Sequence, residues 1–435
     1  MSVEKTENIE LLRFITCGSV DDGKSTLIGR LLYDSKSLLQ DQIDAVTTET
    51  EDGSEINLAN LTDGLKAERE QGITIDVAYR YFQTPKRRFI IADTPGHIQY
   101  TRNMVTGAST ANLAIILIDA RNGVTEQTRR HAYITSLLRI PHLVVAVNKM
   151  DLVDYSEDVF NNIKKEFTSL ASHLSTRDIK FFPMSALNGD NVVKWSPKMP
   201  WYHGEALLEH LETVYIAGDR NLGEPRFPVQ YVIRPRDDDH HDFRGYAGQI
   251  AGGSFRVGDE VKVIPSGKTS KIKEIYTLDG ALDVAQVPKS VTLLLEDDVD
   301  ISRGDMIVRS DEIPNVGNEL RAQICWMAEE PLQLGRKYFI KRCARTTKVM
   351  FSSVDSKVNI QTYEEDTSAD SLSLNEIGSV TFKTAEQIPY DAYKDNRYTG
   401  GFVIIDEASN LTVGAGMLSS PKKHVPVPEH EDYMI

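Results

Sequence analysis

Residues 14–26 contain a glycine-bounded loop whose residue types suit phosphate binding. The pattern G-x-x-x-x-G-K-[ST] runs from Gly18 to Ser25, and its glycines allow sharp turns that point backbone N–H groups at phosphate oxygens. Lys24 is suited to reach the β- and γ-phosphates, and the Ser25 hydroxyl is suited to bind Mg²⁺. Taken alone, the pattern also occurs in strand-to-helix turns that bind no nucleotide. The predicted nucleotide contacts are Gly18, Ser19, Val20, Asp21, Asp22, Gly23, Lys24, Ser25 and Thr26.

A second segment with residue types suited to binding or catalysis is Asp93-Thr-Pro-Gly-His97, which follows an apolar run. Asp93 is suited to hold Mg²⁺ through water, and Gly96 leaves a backbone N–H free to meet a γ-phosphate. His97 comes next, and a histidine beside the γ-phosphate can orient the attacking water. A histidine after a turn is more often an ordinary surface residue, so both interpretations stay open at this point.

Two further segments predict which nucleotide base the protein recognises. Asn148-Lys149-Met-Asp151 and Ser185-Ala186-Leu187 each follow a predicted strand. A carboxylate such as that of Asp151 can accept hydrogen bonds from both N1–H and the exocyclic amine of guanine, a pair that adenine does not offer. These segments therefore predict GTP, and they conflict with an ATP-dependent phosphate-loop enzyme.

Composition limits the class of protein. The chain has 435 residues with a net charge of −15, which argues against a nucleic-acid surface spread over the whole molecule. Three cysteines without C-x-x-C spacing indicate neither a disulfide framework nor a zinc site. The N-terminus lacks a signal-peptide pattern, and no run approaches the ~18 apolar residues of a membrane span. We therefore predict a cytoplasmic protein without a membrane segment.

Apolar runs alternate with helical patterns through the first half of the chain. This alternation predicts an α/β domain with a mostly parallel sheet and helices on both faces, in residues 1–220. After a Gly- and Pro-bearing stretch at 218–228, short β-type runs predict two antiparallel β-barrel domains, residues 221–311 and 312–435, the second with a loose C-terminal tail. The predicted strands of the first domain are Phe14–Cys17, Tyr79–Gln83, Phe89–Ala92, Leu113–Asp119, Leu143–Val147 and Lys180–Met184, and its helical patterns include Glu126 to Leu138 and Gly204 to Ile216.

These motifs, in this order and together with Thr74 at the end of a long polar insertion, resemble the translation-factor class of GTPases, which includes elongation factor Tu. Longer phrases, such as residues 18–34, 97–109 and 243–248, resemble the GTPase subunit of bacterial sulfate adenylyltransferase over essentially the whole chain. Asp22 is a departure from elongation factors, which usually carry histidine at this position, whereas the sulfate-assimilation branch carries aspartate.

The resemblance implies a GTPase domain, two barrels, and GTP with Mg²⁺ as cofactors. It assigns catalytic roles to His97, Thr74 and Lys24, and Mg²⁺ contacts to Ser25, Thr74 and Asp93. It also implies a hetero-oligomer with a small catalytic subunit that binds ATP and sulfate and forms adenosine 5′-phosphosulfate. GTP hydrolysis on this chain is expected to drive that reaction.

The chief alternative is an elongation-factor-like GTPase that delivers tRNA to the ribosome. An acidic, His-rich stretch at residues 234–242 disfavours it, because such a loop repels phosphate backbones. We therefore predict no nucleic-acid partner. No second phosphate-loop pattern follows Gly23, so an adenylylsulfate kinase domain of the kind that some relatives carry would lie outside these residues.

Overall fold

The computed structural model describes residues 10–36, 47–50, 53–56, 58, 76–176, 178–216, 221–234 and 243–421. The chain divides into two compact units, the first made of residues 1–220 and 358–366, the second of residues 221–357 and 367–435. Three sequence predictions fall outside the described residues: the role of Thr74, the acidic stretch at 234–242 after its first residue, and the loose tail beyond residue 421. No helix within the described ranges is long and apolar enough to cross a membrane.

The first unit is built on a six-stranded sheet with strand order β4-β5-β1-β6-β7-β8. Neighbouring strands are parallel except the edge pair β4–β5, which is antiparallel. The strands are β1 (Leu11–Cys17), β4 (Ala78–Gln83), β5 (Arg88–Asp93), β6 (Leu113–Asp119), β7 (His142–Asn148) and β8 (Asp178–Pro183). A separate hairpin joins β2 (Thr47–Thr50) to β3 (Gly53–Ile56).

Continuous burial explains why these segments form a central sheet. Every residue of β6 is buried, as expected for a strand covered on both faces by helices. The covering helices have apolar faces that pack into the same core; for example, α1 buries Leu27, Leu31 and Leu32. The helices are α1 (Lys24–Asp34), α2 (Thr101–Ala108), α3 (Glu126–Leu137), α4 (Glu157–Ala171) and α5 (Leu207–Thr213).

The second unit contains two antiparallel sheets that each close on themselves. In the first, the order is β12-β17-β9-β10-β16-β13-β14, and the additional β12–β13 pairing completes a barrel. Alternating burial along its strands fills one apolar core, which includes Phe227, Tyr246 and Phe255. Its strands are β9 (Arg226–Ile233), β10 (Gly245–Gln249), β12 (Glu260–Ile264), β13 (Thr269–Thr277), β14 (Gly280–Leu282), β16 (Ser290–Leu295) and β17 (Met306–Arg309), with β11 (Ser254–Arg256) and β15 (Val284–Gln286) forming a small extra sheet.

The second sheet of this unit has the order β19-β23-β24-β18-β22-β20 and closes through β19–β20. Arg226 of β9 forms a buried ion pair with Asp391, 3.0 Å between Nη2 and Oδ1, so the two barrels of this unit are joined by a specific contact. The strands are β18 (Asn315–Trp326), β19 (Lys337–Arg342), β20 (Arg345–Val358), β22 (Ile377–Tyr390), β23 (Gly401–Asp406) and β24 (Thr412–Leu418), and a short helix, α6 (Arg397–Gly400), precedes β23. The two-residue strand β21 (Glu365–Asp366) belongs to the segment 358–366 of the first unit.

The predicted fold class is confirmed: a mixed, mostly parallel α/β domain is followed by antiparallel β-barrels. The proposed limits of three domains at 220/221 and 311/312 stay a prediction. The loops after β1, β5, β7 and β8 all leave the carboxyl edge of one sheet, where ligands of such sheets bind.

Candidate nucleotide-binding site

The loop between β1 and α1 turns at its two glycines. Gly23 has a φ of 93°, and a Cβ added there would lie 2.4 Å from Asn148 Nδ2. At Gly18 an added Cβ would lie 2.8 Å from the Leu117 carbonyl oxygen. The N-cap residue of α1 is Gly23, which has no side chain to cap the helix, and the N–H groups of a first helical turn suit an anion. The loop therefore has the two glycine turns that the spacing predicts, and its binding of phosphate stays a prediction.

Lys24 lies folded over this loop. Its Nζ donates hydrogen bonds to the carbonyl oxygens of Gly18, at 3.1 Å, and Ser19, at 2.8 Å. Burial lowers the pKa of the Lys24 ammonium, and the nearby carboxylates of Asp93 and Asp22 act against this shift. The side chain is therefore held at the cradle by partners that a phosphate oxygen can replace.

The side chain of Asp22 stabilises the loop by a hydrogen bond within it. The Ser19 backbone N–H donates to its Oδ2 at 2.5 Å, and the side chain is buried. Burial raises the pKa of the Asp22 carboxyl, while Lys24 lowers it. The Ser19 hydroxyl also lies 2.9 Å from the Thr125 hydroxyl, at the N-cap of α3. The residue that departs from the elongation-factor pattern is thus a structural part of the cradle.

The segment after β5 meets the cradle closely. An added Cβ on Gly96 would lie 2.6 Å from Lys24 Nζ and 2.7 Å from the Gly18 carbonyl oxygen, so only glycine fits without movement. Asp93 is buried at the end of β5, where the Thr16 hydroxyl donates to its Oδ1 at 3.1 Å. The structure therefore brings the Asp93–Gly96 segment and the cradle together, as the sequence predicts.

The donor set fits Mg²⁺ held together with phosphates. In the described part of the chain, no group of three or more His, Cys, Asp or Glu side chains is placed to hold a metal ion. Mg²⁺ commonly uses one or two protein oxygens, several waters and substrate phosphates, and it does not need an all-protein cage. The Ser25 hydroxyl and the Asp93 carboxylate are the described side chains that match this pattern, whereas Thr74 lies outside the described residues.

His97 is exposed at the surface beside the Gly96 turn. Its Nδ1 accepts a hydrogen bond from the Gln99 backbone N–H at 3.3 Å, and its ring centroid lies 6.2 Å from that of Tyr100. With Nδ1 as an acceptor, the neutral ring carries its proton on Nε2. The role of His97 in orienting water stays a prediction.

Asn148 joins the phosphate side of the site to the base side. Its Nδ2 donates to the Asp22 carbonyl oxygen at 2.8 Å, and its Oδ1 accepts from the Ala186 N–H at 2.9 Å. Ser185 and Ala186 are buried, while Leu187 is exposed. Two loops that follow different strands are thereby held in one arrangement.

Lys149 is positioned by an acidic residue that sequence reasoning missed. It has a left-handed φ of 61°, and its Nζ lies 3.0 Å from Asp119 Oδ2 at the end of β6. Burial raises the pKa of Asp119, but hydrogen bonds from Arg121 and Lys149 outweigh this effect and bring it to about 2. A usable sequence signal was present, because Asp119 also closes an apolar strand.

Asp151 lies in the short 3₁₀ helix Met150–Val153 and is half-buried. Within the described ranges no side chain donates a hydrogen bond to its carboxylate, so both oxygens are available to a ligand. Val20 and Asp21, at the tip of the cradle, are exposed, and Asp21 has a φ of 67°. The structure therefore collects the predicted residues, other than Thr74, at one edge of the sheet.

Comparisons with known proteins agree with this geometry. Residues 9–217 match the family model of the elongation factor Tu GTP binding domain, and residues 319–419 match that of the GTP-eEF1A C-terminal domain-like family. The chain is 56% identical to sulfate adenylyltransferase subunit 1 of Aliarcobacter butzleri over 96% of this chain and 89% of the relative. It is 54% identical to the protein of that name from Saccharophagus degradans, over 95% of this chain and 87% of the relative.

A further relative is the bifunctional enzyme CysN/CysC of Mycobacterium tuberculosis, which is 54% identical over 94% of this chain and 67% of its own length. All three relatives are more than half identical to this chain over at least 94% of its length. The chain therefore belongs to the sulfate adenylyltransferase subunit 1 family, with a GTP-binding domain of the elongation factor Tu type.

Proposed function

We propose that this chain binds and hydrolyses GTP, and that hydrolysis drives formation of adenosine 5′-phosphosulfate and pyrophosphate from ATP and sulfate on a separate small subunit. The observation that carries the proposal is the Asn148 bridge, which links the phosphate cradle through Asp22 to the base-side loop through Ala186. The names of the relatives supply the reaction.

On GTP binding, Lys24 exchanges its two carbonyl partners for phosphate oxygens. The carboxylate of Asp151 accepts from N1–H and the exocyclic amine of guanine, which selects GTP over ATP. Ser25 would hold Mg²⁺ directly and Asp93 through water, and the ion would supply positive charge that offsets the charge developing on the phosphates. Thr74 would contact the metal and the γ-phosphate region in the GTP state alone.

His97 orients the attacking water. Its place directly after Gly96 puts the ring next to the segment whose backbone approaches the cradle. Among the described residues the His97 side chain makes no hydrogen bond with the phosphate-binding loop, so its loss should affect turnover more than GTP affinity. General acid–base or water-positioning groups typically contribute 10²–10⁴-fold to a rate.

The partner is a small catalytic subunit that binds ATP and sulfate. Joining sulfate to the α-phosphate of ATP forms a mixed anhydride, and the reaction is strongly unfavourable unless it is coupled to another. Coupling requires that the GTP and GDP states engage the small subunit with different free energies. We therefore propose a cytoplasmic hetero-oligomer in which the small subunit, ATP and sulfate stimulate GTP turnover.

The experiment reconstitutes the two subunits and measures GTP turnover and adenosine 5′-phosphosulfate yield together. The wild-type pair should show both, and His97→Ala should lower turnover by roughly 10²–10⁴-fold with GTP affinity nearly unchanged. The yield should fall with turnover. His203→Ala, at an exposed histidine of the same unit, is the matched control and should behave as wild type.

Unchanged hydrolysis in His97→Ala would remove this histidine from the mechanism. Stimulation of GTP turnover by ribosomes and aminoacyl-tRNA, with no response to the small subunit, ATP and sulfate, would overturn the functional assignment and support the elongation-factor alternative.

A further inference from the structure

An arginine on α1 contacts the loop that follows β8. Arg30 Nε donates to the Ala186 carbonyl oxygen at 3.2 Å, and Arg30 Nη2 donates to the Leu187 carbonyl oxygen. The side chain is mostly buried, and it also pairs with Asp34 one turn along the helix at 3.6 Å. These contacts join segments about 156 residues apart in sequence.

The same loop is held from its other side. The Ala186 N–H donates to Asn148 Oδ1, so the amide and the carbonyl of one residue are fixed by two different elements. The Asn188 N–H donates to the Ser185 hydroxyl at 3.2 Å, which closes the turn. Rotation of these peptide planes would require several hydrogen bonds to break together.

α1 carries Lys24 and Ser25 in its first turn, and Arg30 lies about 9 Å further along the helix axis at the usual rise of 1.5 Å per residue. One rigid helix therefore contacts both the phosphate cradle and the loop on the base side. The planar fork of a guanidinium can donate to two carbonyl oxygens at once, which the single ammonium of lysine cannot do with the same geometry.

We infer that Arg30 is a positioning residue that aligns the Ser185–Leu187 loop for recognition of guanine O6 and couples that loop to the phosphate-binding helix. The inference rests on the proposed function, because it concerns the same GTP site. Within the described ranges the Leu187 N–H donates to no protein acceptor, so it suits the O6 acceptor of guanine, whereas adenine presents an amine donor at the equivalent position. Misalignment of the loop should therefore weaken recognition of the base selectively.

Inosine triphosphate isolates this contact, because it keeps O6 but lacks the exocyclic amine assigned to Asp151. The experiment measures the affinities of GTP, inosine triphosphate and ATP by competition, together with the GDP release rate and thermal unfolding. The variants are Arg30→Met, Arg30→Lys and Asp34→Ala. Asp34→Ala is the matched control, because it removes the ion pair with Arg30 and leaves both loop contacts in place.

Arg30→Met should lower the GTP-to-ATP and inosine-to-ATP affinity ratios by about tenfold or more, since two hydrogen bonds from a charged group are lost. The GTP-to-inosine ratio should stay unchanged, because it reports the Asp151 contact. GDP release should accelerate by a similar factor. Arg30→Lys should show smaller changes than Arg30→Met in the affinity ratios and in GDP release. Asp34→Ala should match wild type.

A folded Arg30→Met protein with wild-type affinity ratios would overturn the inference and leave the proposed function intact. Equal losses for all three nucleotides would also overturn it, because they indicate general destabilisation. If Arg30→Met does not fold, the ratios for Arg30→Lys decide in the same way. A wild-type chain without preference for GTP over ATP would overturn both the inference and the proposed function.

Discussion

Asn148→Ala tests the bridge between the two halves of the site. The substitution removes one donor and one acceptor from a buried position. It leaves the Asp22 carbonyl oxygen and the Ala186 N–H without the partners that Asn148 supplies. Asn148 itself is 2% exposed, so solvent does not replace these bonds freely.

Leaving a buried donor or acceptor unpaired costs about 1–3 kcal/mol for each group. Two such groups would lower the free energy of unfolding by roughly 2–6 kcal/mol, and water entering the vacated space brings the expectation to the lower part of this range. We also expect the loss of loop alignment to cost ~1.4 kcal/mol of binding free energy, which corresponds to a tenfold loss of GDP affinity.

Denaturant unfolding of the nucleotide-free chain and GDP binding to the same preparation provide the two measurements. Asn112→Ala is the control: Asn112 is half-buried and accepts one hydrogen bond of 3.3 Å from an exposed backbone N–H. It should cost no more than about 1 kcal/mol. Equal destabilisation by the two substitutions would refute the structural role of the bridge.

Three further predictions concern single groups of the first unit. Asp151→Asn should shift preference from guanosine toward xanthosine nucleotides in competition assays, and an unaltered preference would contradict its role. Lys24→Ala should weaken GDP and GTP alike, whereas Thr74→Ala should spare GDP, and equal loss of GDP affinity in both would contradict the assignment of Thr74. Burial, with Lys24 and Arg130 nearby, lowers the pKa of His131 from 6.5 to about 3. Between pH 6.5 and pH 3 the His131 ring is protonated in the unfolded chain but not in the folded one. The free energy of unfolding therefore has its full value above pH 6.5 and falls as the pH is lowered toward 3, by about 2 kcal/mol at pH 5. His131→Leu should reduce the loss between pH 7 and pH 5 in thermal unfolding, and an unchanged pH dependence would contradict this account.

The strands of the first unit were predictable because burial on both faces makes them continuous apolar runs. β6 has the predicted limits, Leu113–Asp119. β1 begins at Leu11, three residues before its predicted start, because pairing with β5 extends across the exposed Arg13. Backbone hydrogen bonding, which does not depend on side-chain polarity, sets the true end of such a strand.

The helical pattern at residues 204–216 was predicted longer than the observed α5, Leu207–Thr213. The apolar residues beyond its ends, such as Ile216, are buried in the same core without being helical. The spacing of apolar residues indicates which of them face a core. It does not show that a short helix extends through every one of these residues.

Motifs in the sequence indicate the residues that we propose to contact a ligand, but they do not indicate the residues that hold those side chains in place. In the sequence, Arg30 has the pattern of an ordinary charged residue on a helix, and Thr16 has that of an ordinary strand residue. Their partners, Ala186 and Asp93, are distant in sequence. A single sequence carries no signal for contacts of that kind, because any of many polar residues could satisfy the same partner.

Two side chains fix peptide groups of the loop between β1 and α1, and we expect this to favour nucleotide binding. The Ser19 N–H donates to the Asp22 carboxylate, and the Asp22 carbonyl oxygen accepts from Asn148 Nδ2. A preorganised site spends less binding free energy on ordering its groups. Lys24 donates to two carbonyl oxygens, so a phosphate at the proposed site would replace existing partners of the ammonium. We therefore expect the free energy of binding to come chiefly from placing negative charge beside a buried cation and the N-terminus of α1.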